Sequence, residues 1–248
     1  MGRMRADFDW GPEGARALAP AAAIVAVVDV LSFTTTLTVA ADRGIAVRPY
    51  RWRDATAQSF ARDNDAVLAA GRTEDGPVSL SPATIRRSTG IARLVLPSPN
   101  GATISALLGE QDARVIGVSL RNAPVAATWV RDRLGPGATV AVIAAGERRP
   151  GGGLRPAVED LWGAGCFLHH LVRATAADLT VEAGAALAAY EKVSVGLPLA
   201  LRDCVSGREL RDHGFPEDVE VAAEAGASAA VPVLTNGWYV ADSVTPTA

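Results

Sequence analysis

Between Ile24 and Thr36 an apolar run, Ile24-Val25-Ala26-Val27-Val28, delivers a single carboxylate, Asp29, into a cluster of hydroxyls: Ser32, Thr34, Thr35 and Thr36. A carboxylate at the end of such a run must be paired, hydrogen-bonded or bound to a metal, because burying it bare costs several kcal/mol or more. The hydroxyls stand just before Leu37-Thr38-Val39-Ala40-Ala41, whose leucine and alanines suit a helix. They therefore fall where side-chain oxygens cap a helix and where free N–H groups attract anions. The same residues would serve equally as backbone caps of a strand-to-helix turn with no chemistry attached.

Three further apolar runs give out into polar residues in the same way. Ser98, Asn100, Gly101 and Thr103 follow one; Ser119, Arg121 and Asn122 follow another; Gly146, Glu147 and Arg148 follow the last. Open α/β sheets bind ligands in the crevice beyond the carboxyl ends of their strands, so four such ends predict a shared site. Gly101 after Asn100 lets the backbone approach a ligand closely and offers an N–H to an anion. Glu159-Asp160 opens an apolar helical stretch. There the two acids either complement the helix dipole or share a hard cation such as Mg²⁺ with Asp29, an ion that takes a few carboxylates plus waters and substrate oxygens.

Other chemistries are disfavoured. His169 and His170 are adjacent and point in different directions on a helix, and no HxxxH or HExxH is present for zinc. GxxxxGK[ST] and GxSxG are both missing, which removes the P-loop and the serine-hydrolase elbow. The glycines of Arg149-Pro150-Gly151-Gly152-Gly153 read as a flexible cover. Lys192 is the only lysine, so Schiff-base chemistry has one candidate. Arginine supplies the remaining positive charge and suits oxyanions through its planar fork.

The elements that must position these residues are legible in outline. Strands are predicted over Ile24–Val28, Ala46–Tyr50, Ala66–Ala70, Ala92–Leu96, Arg114–Ser119 and Thr139–Ala145, with helical stretches between them and a helix over Val158–Leu171. That alternation indicates an α/β fold with a largely parallel sheet covered on both faces. Beyond Asp178 the pattern turns to Ala-rich helices and closes on Val231-Pro232-Val233-Leu234, expected as an edge strand because proline cannot donate to a ladder. The tail after Asp242 is expected to be loose. The N-terminus, with Arg3, Arg5, Asp7 and Asp9, is read only as lacking a signal-peptide core.

With 248 residues, 49% of them hydrophobic, the chain suffices for one α/β domain spanning 1–248, more helical from about 178. A net charge of -3 without blocks of like charge argues against nucleic acid and against a polybasic membrane patch, leaving a small anionic substrate as the expected partner. Cys166 and Cys204 form no CxxC and read as packing residues in a reducing, cytoplasmic setting. Apolar C-terminal helices leave a homodimer open.

Taken in order, Val28-Asp29-Val30-Leu31 with its threonines, Pro97-Ser98-Pro99-Asn100-Gly101-Ala102-Thr103, Asn122-Ala123, Ala145-Gly146, Glu159-Asp160-Leu161-Trp162-Gly163-Ala164-Gly165 and Ser206-Gly207-Arg208-Glu209-Leu210 resemble the 2-phosphosulfolactate phosphatase (ComB) family. The resemblance runs from about Val25 to Leu234. It implies a three-layer α/β/α fold with a largely parallel or mixed sheet, and a Mg²⁺-dependent phosphatase acting on phosphate esters of 2-hydroxy acids. It further implies Asp29 as metal ligand or nucleophile, Asp160 and Glu159 as ligand or base, and Asn100, Gly101 and Thr103 as a phosphate cradle. Ser32, Thr34, Thr35, Ser98, Asn122 and Arg148 would line the substrate site, with Ser206 and Arg208 completing an anion pocket.

Three departures matter, the third being Leu80-Ser81-Pro82 in place of an asparagine-serine-proline. Ser32 and Phe33 stand where the family usually has arginine and alanine, so a cationic clamp is expected to be lost. Gly71-Arg72-Thr73-Glu74 replaces a glycine-glutamate-arginine, displacing an acid unless Glu74 substitutes as a metal ligand. These changes keep a second reading in play, a noncatalytic protein that binds a small anion on the same scaffold.

Overall fold

The computed structural model describes residues 2–74, 76–109, 114–149 and 151–243. Its strands are β1 (Arg5–Trp10), β2 (Ile24–Val28), β3 (Ala46–Tyr50), β4 (Val67–Leu68), β5 (Arg93–Pro97), β6 (Arg114–Val118), β7 (Thr139–Ala144), β8 (Glu147–Arg148), β9 (Leu154–Arg155), β10 (Asp178–Leu179), β11 (Ala230–Thr235) and β12 (Trp238–Ser243). The helices are α1 (Gly11–Leu18), α2 (Phe33–Asp42), α3 (Ala55–Asp63), α4 (Pro82–Arg87), α5 (Gly101–Leu108), α6 (Ala123–Arg131), α7 (Val158–Thr175), α8 (Val181–Val193), α9 (Leu197–Asp203), α10 (Val205–Asp212) and α11 (Pro216–Ala222).

Among the described residues ten strands form one sheet in the order β10-β1-β7-β2-β6-β11-β12-β3-β5-β4, with β8 and β9 a separate small ribbon. Pairing is parallel except around β11 and β12, which run antiparallel to each other and to their outer neighbours β6 and β3. The continuous apolar runs have a direct cause. In β2 alternate residues enter opposite cores: Ile24, Ala26 and Val28 join the core under α6, α7 and α8, while Val25 and Val27 join the one that holds Phe33 and Leu37 of α2. A strand covered on both faces has no polar position to spare. The result is a three-layer α/β/α arrangement.

The sheet also curls. β2 and β5 are separated by four strands, yet Gly101, just past β5, donates a hydrogen bond to Asp29, just past β2, at 2.8 Å. Helix α2 lies in the hollow, packed against β3, β6, β11 and β12 and against α4 and α5. That curl brings distant strand ends to one place.

Three expectations change. Val231–Leu234 is interior, because β12 pairs outside it from Val231↔Asp242 to Thr235↔Trp238. Pro232 is tolerated since the ladder on the β6 side amounts to the single pair Val233↔Ile116, so few donors are needed there. The N-terminal residues form β1, paired in register with β7 from Arg5↔Thr139 to Trp10↔Ala144. The expected third strand shrinks to Val67–Leu68, with Ala70 reaching Ser79 in an isolated bridge. Of the tail expected to be loose after Asp242, Ser243 ends β12 and residues 244–248 lie outside the described residues.

Candidate active site

Asp29 is 6 % exposed and seated by backbone donors. Its Oδ1 accepts from the Phe33 N–H at 3.2 Å and its Oδ2 from the Gly101 N–H at 2.8 Å, so the carboxylate ties the start of α2 to the start of α5. No side chain larger than glycine fits at 101: an added Cβ would lie 2.4 Å from the Phe33 ring and 2.7 Å from Asp29 Oδ2. The Thr34 hydroxyl accepts from the Asp29 N–H at 3.0 Å and donates to the Asp29 carbonyl at 2.8 Å, while Thr35 donates to the Val30 carbonyl at 2.7 Å. Both hydroxyls therefore serve the turn. Ser32, also buried, accepts instead from a guanidinium, that of Arg72.

Asp160 comes to the same place from the first turn of α7. Its Oδ1 accepts from the Val30 N–H at 2.7 Å and its Oδ2 from the Gly146 N–H at 2.9 Å, clamping the turn after β2 to the loop after β7. Glu159 beside it is 2 % exposed, and its Oε2 has no hydrogen-bond partner among the described residues. A fourth acid, Glu147, accepts from Asn100 Nδ2 at 2.8 Å. Burial pushes Asp29 up to about 6, against the opposing pull of the Gly101 and Phe33 N–H groups, with Glu159 adding repulsion. Burial and then the charges of Asp29 and Glu159 hold Asp160 well above the ordinary carboxylate range. Burial and the Asp29 charge push Glu147 up to about 7. Burial, reinforced by Glu159, likewise pushes the neighbouring Cys204 thiol up to about 12. Four acids share a space short of positive charge.

Two cations border this group: Arg155, paired across the ribbon from Glu147, and Arg72, from the loop after β4. Arg72 Nη2 donates to Ser32 Oγ and its Nε to Asp218 Oδ2 at 3.1 Å, and its charge lowers the Asp29 value. Asp218, 1 % exposed, also accepts from Ser81 Oγ. A guanidinium thus does stand beside Ser32, contrary to the expectation that replacing the arginine there removes one. It arrives from another segment because the loop after β4 folds over the start of α2.

The remaining predicted residues divide. Asn100 and Gly101 touch the acids directly, as described. Ser98 is buried beside a cavity of about 310 Å³ that Arg51, Arg72 and Pro99 also line. Arg148 borders a second cavity of about 260 Å³ with Asn100 and Leu154, and Thr103 donates to the Pro99 carbonyl at 2.7 Å. Ser206 is reached by Arg155 Nη2 at 3.3 Å. Three are held elsewhere. Asn122 is fully engaged by the Ser119 N–H and the Gly117 and Ala230 carbonyls, at 2.9, 3.1 and 3.3 Å, which makes it a backbone brace. Arg208 is exposed and turns back to the Asp203 carbonyl. Glu74 is half exposed, paired with Arg53 and bonded to the Gly71 N–H, so its charge is already matched away from Asp29.

Sequence reasoning placed Glu147 at one of the four strand ends but gave the substrate-lining role to its neighbour Arg148. On a two-residue strand successive side chains point to opposite faces, so only one of the pair can look inward. Arg72 was weighed only as a displacement of an acid. Among the described residues no three His, Cys, Asp or Glu side chains converge as a preformed metal cage, and no helix is long and apolar enough to cross a membrane.

The structure brings the strand-end Asp29 and the Glu159-Asp160 pair together, whereas the Gly101 N–H expected to cradle a phosphate is taken up by Asp29 Oδ2. A sequence model of 2-phosphosulpholactate phosphatase matches residues 12–237 of the 248, a span that takes in Asp29, Arg72, Gly101, Glu147, Glu159 and Asp160. The chain therefore belongs to the 2-phosphosulpholactate phosphatase family, whose members are phosphoric monoester hydrolases.

Proposed function

We propose that the protein hydrolyses the phosphate ester of a small 2-hydroxy acid at Asp29 with the help of Mg²⁺. The observation that carries this reading is the unpartnered, buried Glu159 Oε2 beside Asp160 and within the field of Asp29. An orphaned carboxylate oxygen in a crowd of acids costs stability unless a cation answers it. The donor set is all hard oxygen, which suits Mg²⁺, an ion that asks for one or two carboxylates and completes its shell with water and phosphate. Glu159 would hold it with one further carboxylate, that of Asp29 or Asp160, water and phosphate completing its shell, since no three acids converge on one point among the described residues. When bound, such an ion neutralises phosphoryl oxygens and favours attack on phosphorus.

The chain's own groups account for the rest. The N–H groups of Ala102 and Thr103, in the first turn of α5, have no intrahelical acceptor and face the end where a phosphate is best received. Asn100 is fixed by Glu147, and Gly101 fixes Asp29, so ester and acid are held on one short segment. Glu147, with its value near 7, can give a proton to the departing alkoxide and take one back near neutral pH.

The test is release of inorganic phosphate from a panel of 2-phospho-hydroxy acids, with and without Mg²⁺, by wild type and Asp29→Asn. Turnover that needs Mg²⁺ and is lost in the variant is the expected result; equal behaviour of the two proteins on every ester refutes it. The second reading, an anion-binding protein without catalysis, draws on the lack of a three-ligand cage among the described residues. It would be favoured by thermal stabilisation with phosphate that is indifferent to Mg²⁺.

A further inference from the structure

Arg72 is held unusually well for a loop arginine. Asp218 takes its Nε at 3.1 Å, Ser32 takes its Nη2, and the Phe215 ring lies 5.9 Å from its guanidinium carbon. Asp218 is itself fixed by Ser81. Among the described residues Nη1 has no hydrogen-bond partner, so a guanidinium has been immobilised with donors left over. Immobilisation removes the rotamer entropy that normally taxes arginine recognition.

Its position is equally specific. Ser32 lies in the turn whose Phe33 N–H binds Asp29, so one side of Arg72 borders the reacting acid. The other side lines the cavity of about 310 Å³ beyond β3 and β5, shared with Ser98 and Arg51. Arg51 has no carboxylate partner among the described residues and rests on the Trp52 ring at 5.1 Å. Arg53, on the same wall, is neutralised by Glu74. Arg51 and Arg72 thus bring positive charge to an otherwise largely apolar cavity, and Arg72 also borders the turn that holds Asp29.

We propose that Arg72 reads the second oxyanion of the ester, the carboxylate or sulfonate on or near the carbon that bears the phosphate, and that Asp218 is the positioning residue that aims it. This rests on the phosphatase reading above: the phosphate sits at Asp29 and the start of α5, and the acid group extends toward Arg72 and Arg51. Planar bidentate donation suits either oxyanion.

The experiment compares 2-phospholactate with isopropyl phosphate, which puts a methyl where the carboxylate stands, in wild type, Arg72→Gln, Arg72→Lys and Asp218→Asn. The ratio of kcat/KM for the acid ester over the neutral one is expected to fall at least about tenfold in Arg72→Gln, mainly through KM, the scale of one charge-assisted hydrogen bond. Arg72→Lys should fall less, and Asp218→Asn should fall in the same direction. A sulfonate-bearing ester in place of 2-phospholactate separates the two oxyanions. An unchanged ratio, with both esters losing rate alike, would mean that Arg72 only braces the turn, and overturns the proposal. Binding of lactate itself, by calorimetry, is expected to weaken at least about tenfold in Arg72→Gln; equal binding also overturns it. A wild type that hydrolyses neither ester yet binds lactate more tightly than Arg72→Gln would sink the phosphatase reading and leave the role of Arg72 standing. Circular dichroism checks each variant for folding, and Arg72→Lys carries the comparison if Arg72→Gln does not fold.

Discussion

Gly101→Ala asks most directly whether Asp29 sits where the structure puts it. The new methyl would lie 2.4 Å from Phe33 Cδ1, 2.7 Å from Asp29 Oδ2 and 3.0 Å from Phe33 Cγ, and ordinary contact needs roughly an ångström more. Phe33 is fully buried and cannot swing into solvent, so the strain falls on the carboxylate and on the 2.8 Å bond from the Gly101 N–H. Overpacking of this kind costs about 1–3 kcal/mol. Weakening a hydrogen bond to a buried charge adds about 1.5–3 kcal/mol at most. Together they predict a loss of about 2.5–6 kcal/mol, which at about 2–4 °C per kcal/mol for a chain of this size lowers Tm by about 5–24 °C. Alanine elsewhere behaves oppositely: Gly184, inside α8, has nothing within 4 Å of its would-be Cβ, and Gly184→Ala should gain up to about 1 kcal/mol from helix propensity. Calorimetric melts give the stability, and phosphate release at saturating Mg²⁺ gives the rate, expected to drop at least about a hundredfold because the reacting acid is displaced. A Gly101→Ala protein that melts with wild type and keeps its rate would show that Asp29 is not seated on that N–H.

Without divalent cations, stability should fall as pH rises from about 4 to about 7. The folded protein holds protons on Asp29 up to about 6 and on Glu147 up to about 7, whereas the unfolded chain releases them near 4 to 4.5. Raised folded values mean that the stabilisation is present at low pH and is lost through this window, by about 2–3 kcal/mol for Asp29 alone. Urea titrations across the window check it, and a flat or rising curve contradicts it. Glu159→Gln keeps the shape and removes one charge from the crowd. Urea midpoints for that variant should rise without Mg²⁺, while its Mg²⁺-dependent thermal stabilisation and phosphate release both collapse. Asn122→Ala should cost about 1–3 kcal/mol from three abandoned backbone groups and leave KM unchanged, as expected of a brace; a raised KM would return it to the substrate site.

The central strands were legible because they are buried on both faces. Ile24–Val28 is wholly buried and Thr139–Ala144 nearly so, and both read as unbroken apolar runs. β1 was not legible, since Arg5-Ala6-Asp7-Phe8-Asp9-Trp10 alternates and places Arg5, Asp7 and Asp9 on its wetter side, resembling a charged leader more than a strand. β12 was missed although its signal was present. Asn236 and Gly237, with φ of 51° and 78°, make the two-residue turn that an Asn-Gly pair announces between β-prone segments. At the site, Asp29 could be seen because it ends a run, and the Glu159-Asp160 pair because it opens a helix. Arg72 could not be seen as a partner of Ser32: forty residues separate them, and only the curl of the sheet brings the loop after β4 over α2.

The antiparallel hairpin of β11 and β12 is a keystone set between two parallel blocks, β10-β1-β7-β2-β6 on one flank and β3-β5-β4 on the other. Asp29 belongs to the first block, while Gly101 and Arg72 follow strands of the second. In chain order the segment that joins them follows every strand it connects. During synthesis a nascent chain can build each flank but cannot close them into one surface until β12 has left the ribosome, so Asp29, Gly101 and Arg72 come together only after that hairpin is made.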